Sequence, residues 1–176
     1  AQRPLVVVHD DATLREGEPP VPPGLLFRGG KFDGLTRVPD LGGPKSIVNL
    51  RRGPDPAHLG DVKLFHIPAD NTVENYRTEE RAVQSWLRDV LEVLTSPDTP
   101  WPIYLHCTSG KDRTGVVVAA VLLALAVPEH LIVEEYLLSD GVQVENILHA
   151  LSGLKALEAP LVEPLALRRC FDHFAG

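Results

Sequence analysis

The segment YLHCTSGKDRTG, residues 104–115, sets a cysteine and an arginine six positions apart in a loop of small and charged residues. Small residues let backbone N–H groups approach an anion closely. Three of them follow the cysteine: Thr108, Ser109 and Gly110. The guanidinium of Arg113 can bind two phosphate oxygens at once. This composition indicates a cradle for a phosphate group, with the thiol of Cys107 at its base.

A cysteine in such a cradle can serve as a nucleophile. The positive field that holds a phosphate also stabilises a thiolate, and a thiolate attacks phosphorus without the help of a metal ion. A Walker loop is excluded because Gly110-Lys111 is followed by Asp112 rather than serine or threonine, and no glycine lies five residues earlier. The segment GGKFDG, residues 29–34, lacks the spacing of a dinucleotide-binding loop. The indicated chemistry is therefore phosphoryl transfer to Cys107.

The elements that must position this loop are predicted from the apolar pattern. Short β-branched or aromatic runs predict strands at 4–10, 25–27, 46–50, 62–67 and 102–106. Apolar residues at spacings of three and four predict a helix over 83–94, which we expect to begin at Thr78 with its hydroxyl as the cap. Further helices are predicted at 114–127, 129–140, 144–151 and 167–174. This order predicts an α/β fold, in which helices flank a mostly parallel twisted sheet of about four to five strands.

Length and composition predict one soluble domain over residues 1–176, of which 44% are apolar and 23% charged. A net charge of -7 argues against nucleic acid and anionic membranes as partners. Two cysteines are too few for a disulfide framework, which favours a reducing, cytoplasmic compartment. Nothing in the chain resembles a signal peptide, although a signal cleaved before Ala1 stays an alternative.

The longest apolar run, 115–127, is about half the length of a membrane-spanning helix, so no transmembrane segment is expected. The seven histidines show no metal-ligand spacing, and we expect neither a metal nor a cofactor. A monomer is expected.

The pattern His-Cys-x5-Arg-Thr-Gly, running into an apolar helix, resembles the signature of the cysteine-dependent protein tyrosine phosphatases. It is most similar to their compact dual-specificity branch, and the GKDRTG form resembles bacterial and lipid-active members. Weaker similarity extends over most of the chain, because LLFRGG, SIVNLR, HIPADNT and VEEYLLSD occur in the order that this family shows.

The resemblance implies a role for each residue of the loop. Cys107 would form a phosphocysteine, Arg113 would bind the phosphate in ground and transition states, and Thr114 would help the thiolate leave in the second step. His106 would hold the loop from behind and favour the thiolate. The phosphate would be bound by Thr108, Ser109, Gly110, Lys111, Asp112 and Arg113.

The family also implies a general acid, which must protonate the leaving group. Asp70, in IPADNT, lies 37 residues before Cys107 and just past a predicted strand, and it is the preferred candidate. Asp112, inside the loop, is the rival. The alternative for Asp70 is a simple turn residue, since aspartate before asparagine suits a turn.

Several other residues carry weaker expectations. Arg51 and Arg52 follow a strand that should end on the same side as the loop, so that one would line the pocket and the other the surface. Arg28 is a weaker candidate for the site. Lys111 is either a second anion contact or a solvated charge. Cys170 is expected to pack on a helix face, with a redox partnership with the loop cysteine as the alternative.

The substrate is less well determined than the mechanism. The family resemblance favours phosphotyrosine or dual-specificity protein substrates, and phosphoinositides or inositol phosphates come second because Lys111 adds positive charge. Two alternatives from other classes remain open: a pseudophosphatase that binds phosphorylated partners without turnover, and a sulfurtransferase of the rhodanese type.

Overall fold

The computed structural model describes residues 3–4, 21, 24–32, 43–56, 59–70 and 72–172. Five strands form one sheet: β1 (Arg3–Pro4), β2 (Leu26–Gly29), β3 (Ser46–Asn49), β4 (Lys63–His66) and β5 (Ile103–His106). The strand order is β1-β2-β5-β3-β4, in which β1 runs antiparallel to β2 and the other neighbours are parallel. The predicted mostly parallel α/β sheet is therefore confirmed.

The register brings the carboxyl ends of the four parallel strands to one edge of the sheet. His106, the last residue of β5, pairs with Gly29 of β2 and with Asn49 of β3, and Asn49 pairs with His66 of β4. The loops that leave β2, β3, β4 and β5 consequently start side by side. In sheets of this kind ligands bind at that edge.

Burial follows position in the sheet. The central strands β3 and β5 are buried at all four residues, whereas the edge strand β4 is largely exposed. Central parallel strands are covered on both faces, which explains their continuous apolar runs.

A short 3₁₀ helix (Val73–Tyr76) and five α-helices complete the described fold: α1 (Arg81–Thr95), α2 (Asp112–Ala124), α3 (Glu129–Leu137), α4 (Val144–Lys155) and α5 (Pro164–Asp172). The first ten residues of α2 after Asp112 are all buried, and the helix packs against the other four α-helices. Within the described residues, no helix combines the length and the apolar character needed to cross a bilayer.

The helix predicted to start at Thr78 begins three residues later, at Arg81. The Thr78 hydroxyl donates to the Ala150 carbonyl of α4 at 2.6 Å, and Glu80 occupies the cap position without a side-chain bond. The expected cap was wrong because a tertiary hydrogen bond takes the hydroxyl away from its own helix.

Other boundaries differ in detail. α2 begins at Asp112 and ends at Ala124, and α3 ends at Leu137 rather than at 140. α5 begins at Pro164, a residue that suits the first turn because its missing N–H would have no partner there. Of the first predicted strand, 4–10, only the start is described, in β1, and residues 5–10 and 173–174 lie outside the described residues.

Candidate active site

The phosphate-loop candidate connects the carboxyl end of β5 to the amino end of α2. Cys107 follows β5 directly and is 1% exposed, while Thr108 and Ser109 are exposed to solvent. The orphan N–H groups and the dipole of the helix N-terminus favour an anion at this position. The loop thus holds a buried thiol beneath a solvent-exposed rim of backbone amides.

Two carbonyls of the loop are bound from its outer side. The Lys31 N–H donates to the Thr108 carbonyl at 3.0 Å, and Arg28 Nη2 donates to the Gly110 carbonyl at 2.8 Å. In a trans peptide the C=O and the next N–H point in opposite directions. The N–H groups that follow these two carbonyls therefore face the inner side of the loop, where an anion would sit.

Glycines allow this loop to lie against the end of β2. Gly110 has a φ of 76°, and a Cβ there would lie 2.4 Å from the Gly29 carbonyl carbon. A Cβ on Gly30 would lie 2.9 Å from the Thr108 oxygen. Both contacts are far below van der Waals distance, so a side chain at either position would push the loop away from the sheet.

Arg28 anchors the loop to α3. Its guanidinium forms an ion pair with Glu135, and the two side chains are 2% and 1% exposed. From the sequence, Arg28 is only a weak candidate for the site, and Glu135 is not among the candidates. A pair separated by 107 positions in the chain leaves no local signal.

Thr114 lies next to the thiol. Its Oγ1 donates to Cys107 Sγ at 3.1 Å, and both side chains are buried. His106 is fully buried behind the cysteine, with Nδ1 3.2 Å from the Cys107 carbonyl oxygen. The nucleophile candidate is thus in contact with a hydroxyl donor on one side and has an imidazole behind its backbone.

Arg113 joins three of the loops that meet at the sheet edge. Its Nη1 donates to the Ala69 carbonyl at 2.9 Å and more weakly to the Leu50 carbonyl at 3.4 Å, and its Nη2 donates to Thr108 Oγ1 at 3.1 Å. The side chain is buried, yet its Nε has no hydrogen-bond partner among the described residues. A buried N–H of this kind is costly unless a ligand accepts from it.

Asp112 sits in the first turn of α2 and is already occupied by a donor. Tyr76 Oη donates to Asp112 Oδ1 at 2.5 Å and also lies 2.7 Å from Tyr136 Oη. Burial, followed by the bond to Asp112, raises the pKa of Tyr76 far above its ordinary value. The phenol therefore stays protonated and keeps donating to the carboxylate.

Asp70 lies past the end of β4 with its carboxylate in solvent, where it forms an ion pair with Arg52. Its backbone is held firmly, because Asn75 Nδ2 donates to the Asp70 carbonyl at 2.6 Å. The preceding residue, Ala69, accepts from Arg113, so the Asp70 segment contacts the phosphate loop through that arginine. Beside it lies an open cleft of about 780 Å³ that Asp70, Arg52 and Trp86 help to line.

The remaining candidates are distributed as follows. Arg51 turns toward the Pro54 carbonyl at 2.7 Å, whereas Arg52 lies on the surface. Lys111 is half-buried, and its side chain extends toward the turn at Gly141. A Cβ placed on Gly141 would lie 3.8 Å from the Lys111 Nζ. Cys170 is half-buried on α5 with Sγ 3.5 Å from the Leu94 carbonyl oxygen, and burial raises the pKa of its thiol.

The described part of the chain contains no group of three or more His, Cys, Asp or Glu side chains that could hold a metal ion.

Comparison with known proteins gives three findings. Residues 11–174 match the tyrosine phosphatase family. A 39-residue stretch is 51% identical to the triple specificity protein phosphatase PtpB of Mycobacterium tuberculosis. That stretch is 22% of this chain and 14% of PtpB, so the match spans a small share of the relative's length.

Solved structures share the fold. The core catalytic domain of the PP-IP phosphatase SIW14 from S. cerevisiae superposes with a TM-score of 0.55 at 19% identity, over 71% of this chain and 78% of that one. TpbA of P. aeruginosa in complex with pTyr superposes with a TM-score of 0.54 at 17% identity, over 85% of this chain and 86% of that one.

Proposed function

Because this chain belongs to the tyrosine phosphatase family, we propose that it hydrolyses phosphomonoesters through a phosphocysteine formed at Cys107. The observation that carries the proposal is the buried Cys107 thiol at the strand end, with Thr114 Oγ1 3.1 Å from its sulfur. The buried Nε of Arg113, which no described residue accepts from, adds a donor for the substrate.

In the first step the phosphate binds the inward N–H groups of the loop and Arg113. The Cys107 thiolate attacks phosphorus, and the bond from phosphorus to the ester oxygen breaks. The departing oxygen takes a proton from a general acid and leaves as an alcohol or phenol. The guanidinium and amides are already in place, so they stabilise the transition-state charge without reorganisation.

In the second step water attacks the phosphocysteine and gives a proton to the group that acted as the general acid, which now acts as the base. The S–P bond breaks, inorganic phosphate forms, and the electron pair returns to Cys107 as a thiolate. The Thr114 hydroxyl, which donates to this sulfur, stabilises the leaving thiolate. His106 supports the loop from behind in both steps.

Asp70 is proposed as the general acid. The rival Asp112 accepts a hydrogen bond from a phenol whose pKa is raised, so its carboxylate is held as an acceptor rather than as a proton donor. The Asp70 carboxylate is exposed and paired only at the surface with Arg52, among the contacts that the structure describes. From the surface it can turn toward the leaving group of a substrate held in the loop.

Phosphotyrosine or dual-specificity protein substrates are proposed first, and TpbA, solved with pTyr, is a structural relative that suits this choice. Inositol phosphates or phosphoinositides are the second candidate. Three cations favour them: Lys111 within the loop, Lys31, whose N–H donates to Thr108, and Arg52, which pairs with Asp70. SIW14, titled a PP-IP phosphatase, suits the second choice. A comparison of kcat/KM between phosphopeptides and inositol phosphates decides between them.

The proposal also covers a metal-independent, single-domain, monomeric and cytoplasmic enzyme. Its central experiment is turnover of an aryl phosphate in excess chelator, which we expect to persist. Cys107→Ser should abolish it, because serine offers no accessible anion near neutral pH. Cys170→Ser is the matched control, since this thiol packs between α1 and α5, and it should retain activity.

Turnover that survives in Cys107→Ser would refute the mechanism. No turnover of any phosphomonoester by the folded wild type, with phosphopeptide binding intact, would instead support a pseudophosphatase. Cyanide-dependent thiocyanate production would indicate the sulfurtransferase.

A further inference from the structure

A buried carboxylate lies behind the proposed nucleophile and has no part in the mechanism above. Asp55, in the loop after β3, is 4% exposed at its side chain. Its Oδ1 lies 2.9 Å from Nε2 of the fully buried His106 and 3.9 Å from Nη2 of Arg51. Carboxylates are seldom buried without a reason, because leaving water costs a charge several kcal/mol unless partners compensate.

Both ring nitrogens of His106 face acceptors. Nε2 meets the Asp55 carboxylate and Nδ1 lies 3.2 Å from the Cys107 carbonyl oxygen. A neutral imidazole has one N–H and one lone pair, so one of these contacts would be repulsive. Against an ionised Asp55, both contacts are attractive at once only when the ring carries two protons and a positive charge. The contact between Nε2 and Oδ1 is close but is not aligned as a hydrogen bond, so any attraction between the two side chains depends on their charges.

The charges around the Cys107 thiol have opposite effects on the stability of its thiolate form. The negative charge of Asp55 on its own disfavours a second anion nearby. The Tyr104 phenol is affected by the charges of both Asp55 and Cys107. Burial raises the pKa of Tyr104, and the negative charges of Cys107 and Asp55 raise it further. Among the described residues, the recorded contacts place two cations nearby: Arg51, 3.9 Å from Asp55 Oδ1, and Arg113, which donates to Thr108 beside the cysteine. A positive His106 between Asp55 and the cysteine would reverse the effect of Asp55.

We propose that Asp55 is a positioning residue that holds His106 with both ring nitrogens protonated, so that the imidazolium charge favours the Cys107 thiolate. The proposal rests on the proposed function in taking Cys107 as the nucleophile. Asp55 touches no substrate and acts only through His106.

The direction in which one substitution shifts the pH midpoint of Cys107 alkylation tests this proposal. Asp55→Asn keeps the size and removes the charge. If Asp55 acts through His106, the pH midpoint for iodoacetamide alkylation of Cys107 rises, because the imidazolium loses its partner. If Asp55 acts only as a nearby negative charge, the midpoint falls. An opposite charge within about 4–6 Å moves a titration by roughly one to three pH units, so below the wild-type midpoint we expect alkylation to slow about tenfold or more.

Two variants control the measurement. In a His106→Asn background, adding Asp55→Asn should no longer raise the midpoint. Asp61→Asn, an exposed turn aspartate, should leave it unchanged. Circular dichroism and urea unfolding of each variant separate a structural loss from a change in the thiol. A fall in the midpoint for Asp55→Asn, or an unchanged one in a folded variant, overturns the proposal.

A second measurement needs no variant. Long-range ¹H–¹⁵N NMR of the wild-type protein should show both His106 nitrogens protonated at the pH where Cys107 has become a thiolate. A neutral ring at that pH also overturns the proposal. Neither measurement requires turnover, so a protein that hydrolyses no phosphomonoester but shows the expected shift would refute the proposed function and leave this inference standing.

Discussion

The buried ion pair between Arg28 and Glu135 offers a test in which stability and activity should separate. Arg28 bonds the Gly110 carbonyl of the phosphate loop and also pairs with Glu135 of α3. We consider three variants: Arg28→Met, Glu135→Leu and the double variant. Each replacement is apolar and keeps most of the side-chain volume.

The expected loss of unfolding free energy follows from the burial of the two side chains. The two side chains are 2% and 1% exposed, so removing one partner breaks the ion pair and leaves the other charge buried without that counter-charge. Losing one partner of a buried pair lowers the unfolding free energy by about 3–5 kcal/mol, whereas replacing both partners by apolar groups often leaves that free energy unchanged. Each single variant should therefore lose about 3–5 kcal/mol of unfolding free energy. The double variant should lose far less than the sum of the two.

Activity should not follow stability in the double variant. The Gly110 carbonyl has lost the Arg28 donor in that protein, so the loop N–H groups lose part of what orients them. We expect kcat/KM for an aryl phosphate to stay low even where urea unfolding shows recovery at an unchanged m-value. Additive losses of stability in the double variant would refute the argument about the ion pair. Full activity in the double variant would refute the argument about the loop.

Three further predictions concern the loop itself. Arg113→Lys should lower kcat/KM for an aryl phosphate by about 10²–10³-fold, because a point charge cannot replace a guanidinium that joins three loops and is proposed to bind the phosphate. A loss under about threefold would contradict that role. Asp70→Asn should lower turnover about 10²–10⁴-fold with phosphotyrosine and much less with nitrophenyl phosphate, because nitrophenolate leaves without taking a proton. Asp112→Asn is its control, and a leaving-group-dependent loss confined to Asp112→Asn would move the acid into the loop. Gly110→Ala should cost about 1–3 kcal/mol or more in urea unfolding and abolish turnover, because its Cβ would overlap the backbone at the end of β2; a folded, active variant would show that the loop can move away.

The local pattern of the sequence was sufficient for the fold class and for the central loop. Strand and helix types follow from periodicity, and the phosphate loop follows from residue types only six positions apart. Chain connectivity alone keeps Cys107 near Arg113, so no tertiary information was needed to predict that they act together. The parallel sheet and the buried α2 could also be predicted, because they follow from the local apolar pattern and from the order of strands and helices along the chain.

What surrounds the loop was decided by the order of the strands. β5 lies between β2 and β3, and this order brings Arg28 to the loop and Asp55 to His106 from distant parts of the chain. Tyr76 reaches Asp112 from the 3₁₀ helix in the same way. These residues have no periodic or spacing signal, because a hydrogen bond between distant segments depends on where the backbone passes in space. Residue types and spacing therefore predict the reacting groups, whereas the buried charges around them depend on the path of the backbone through the fold.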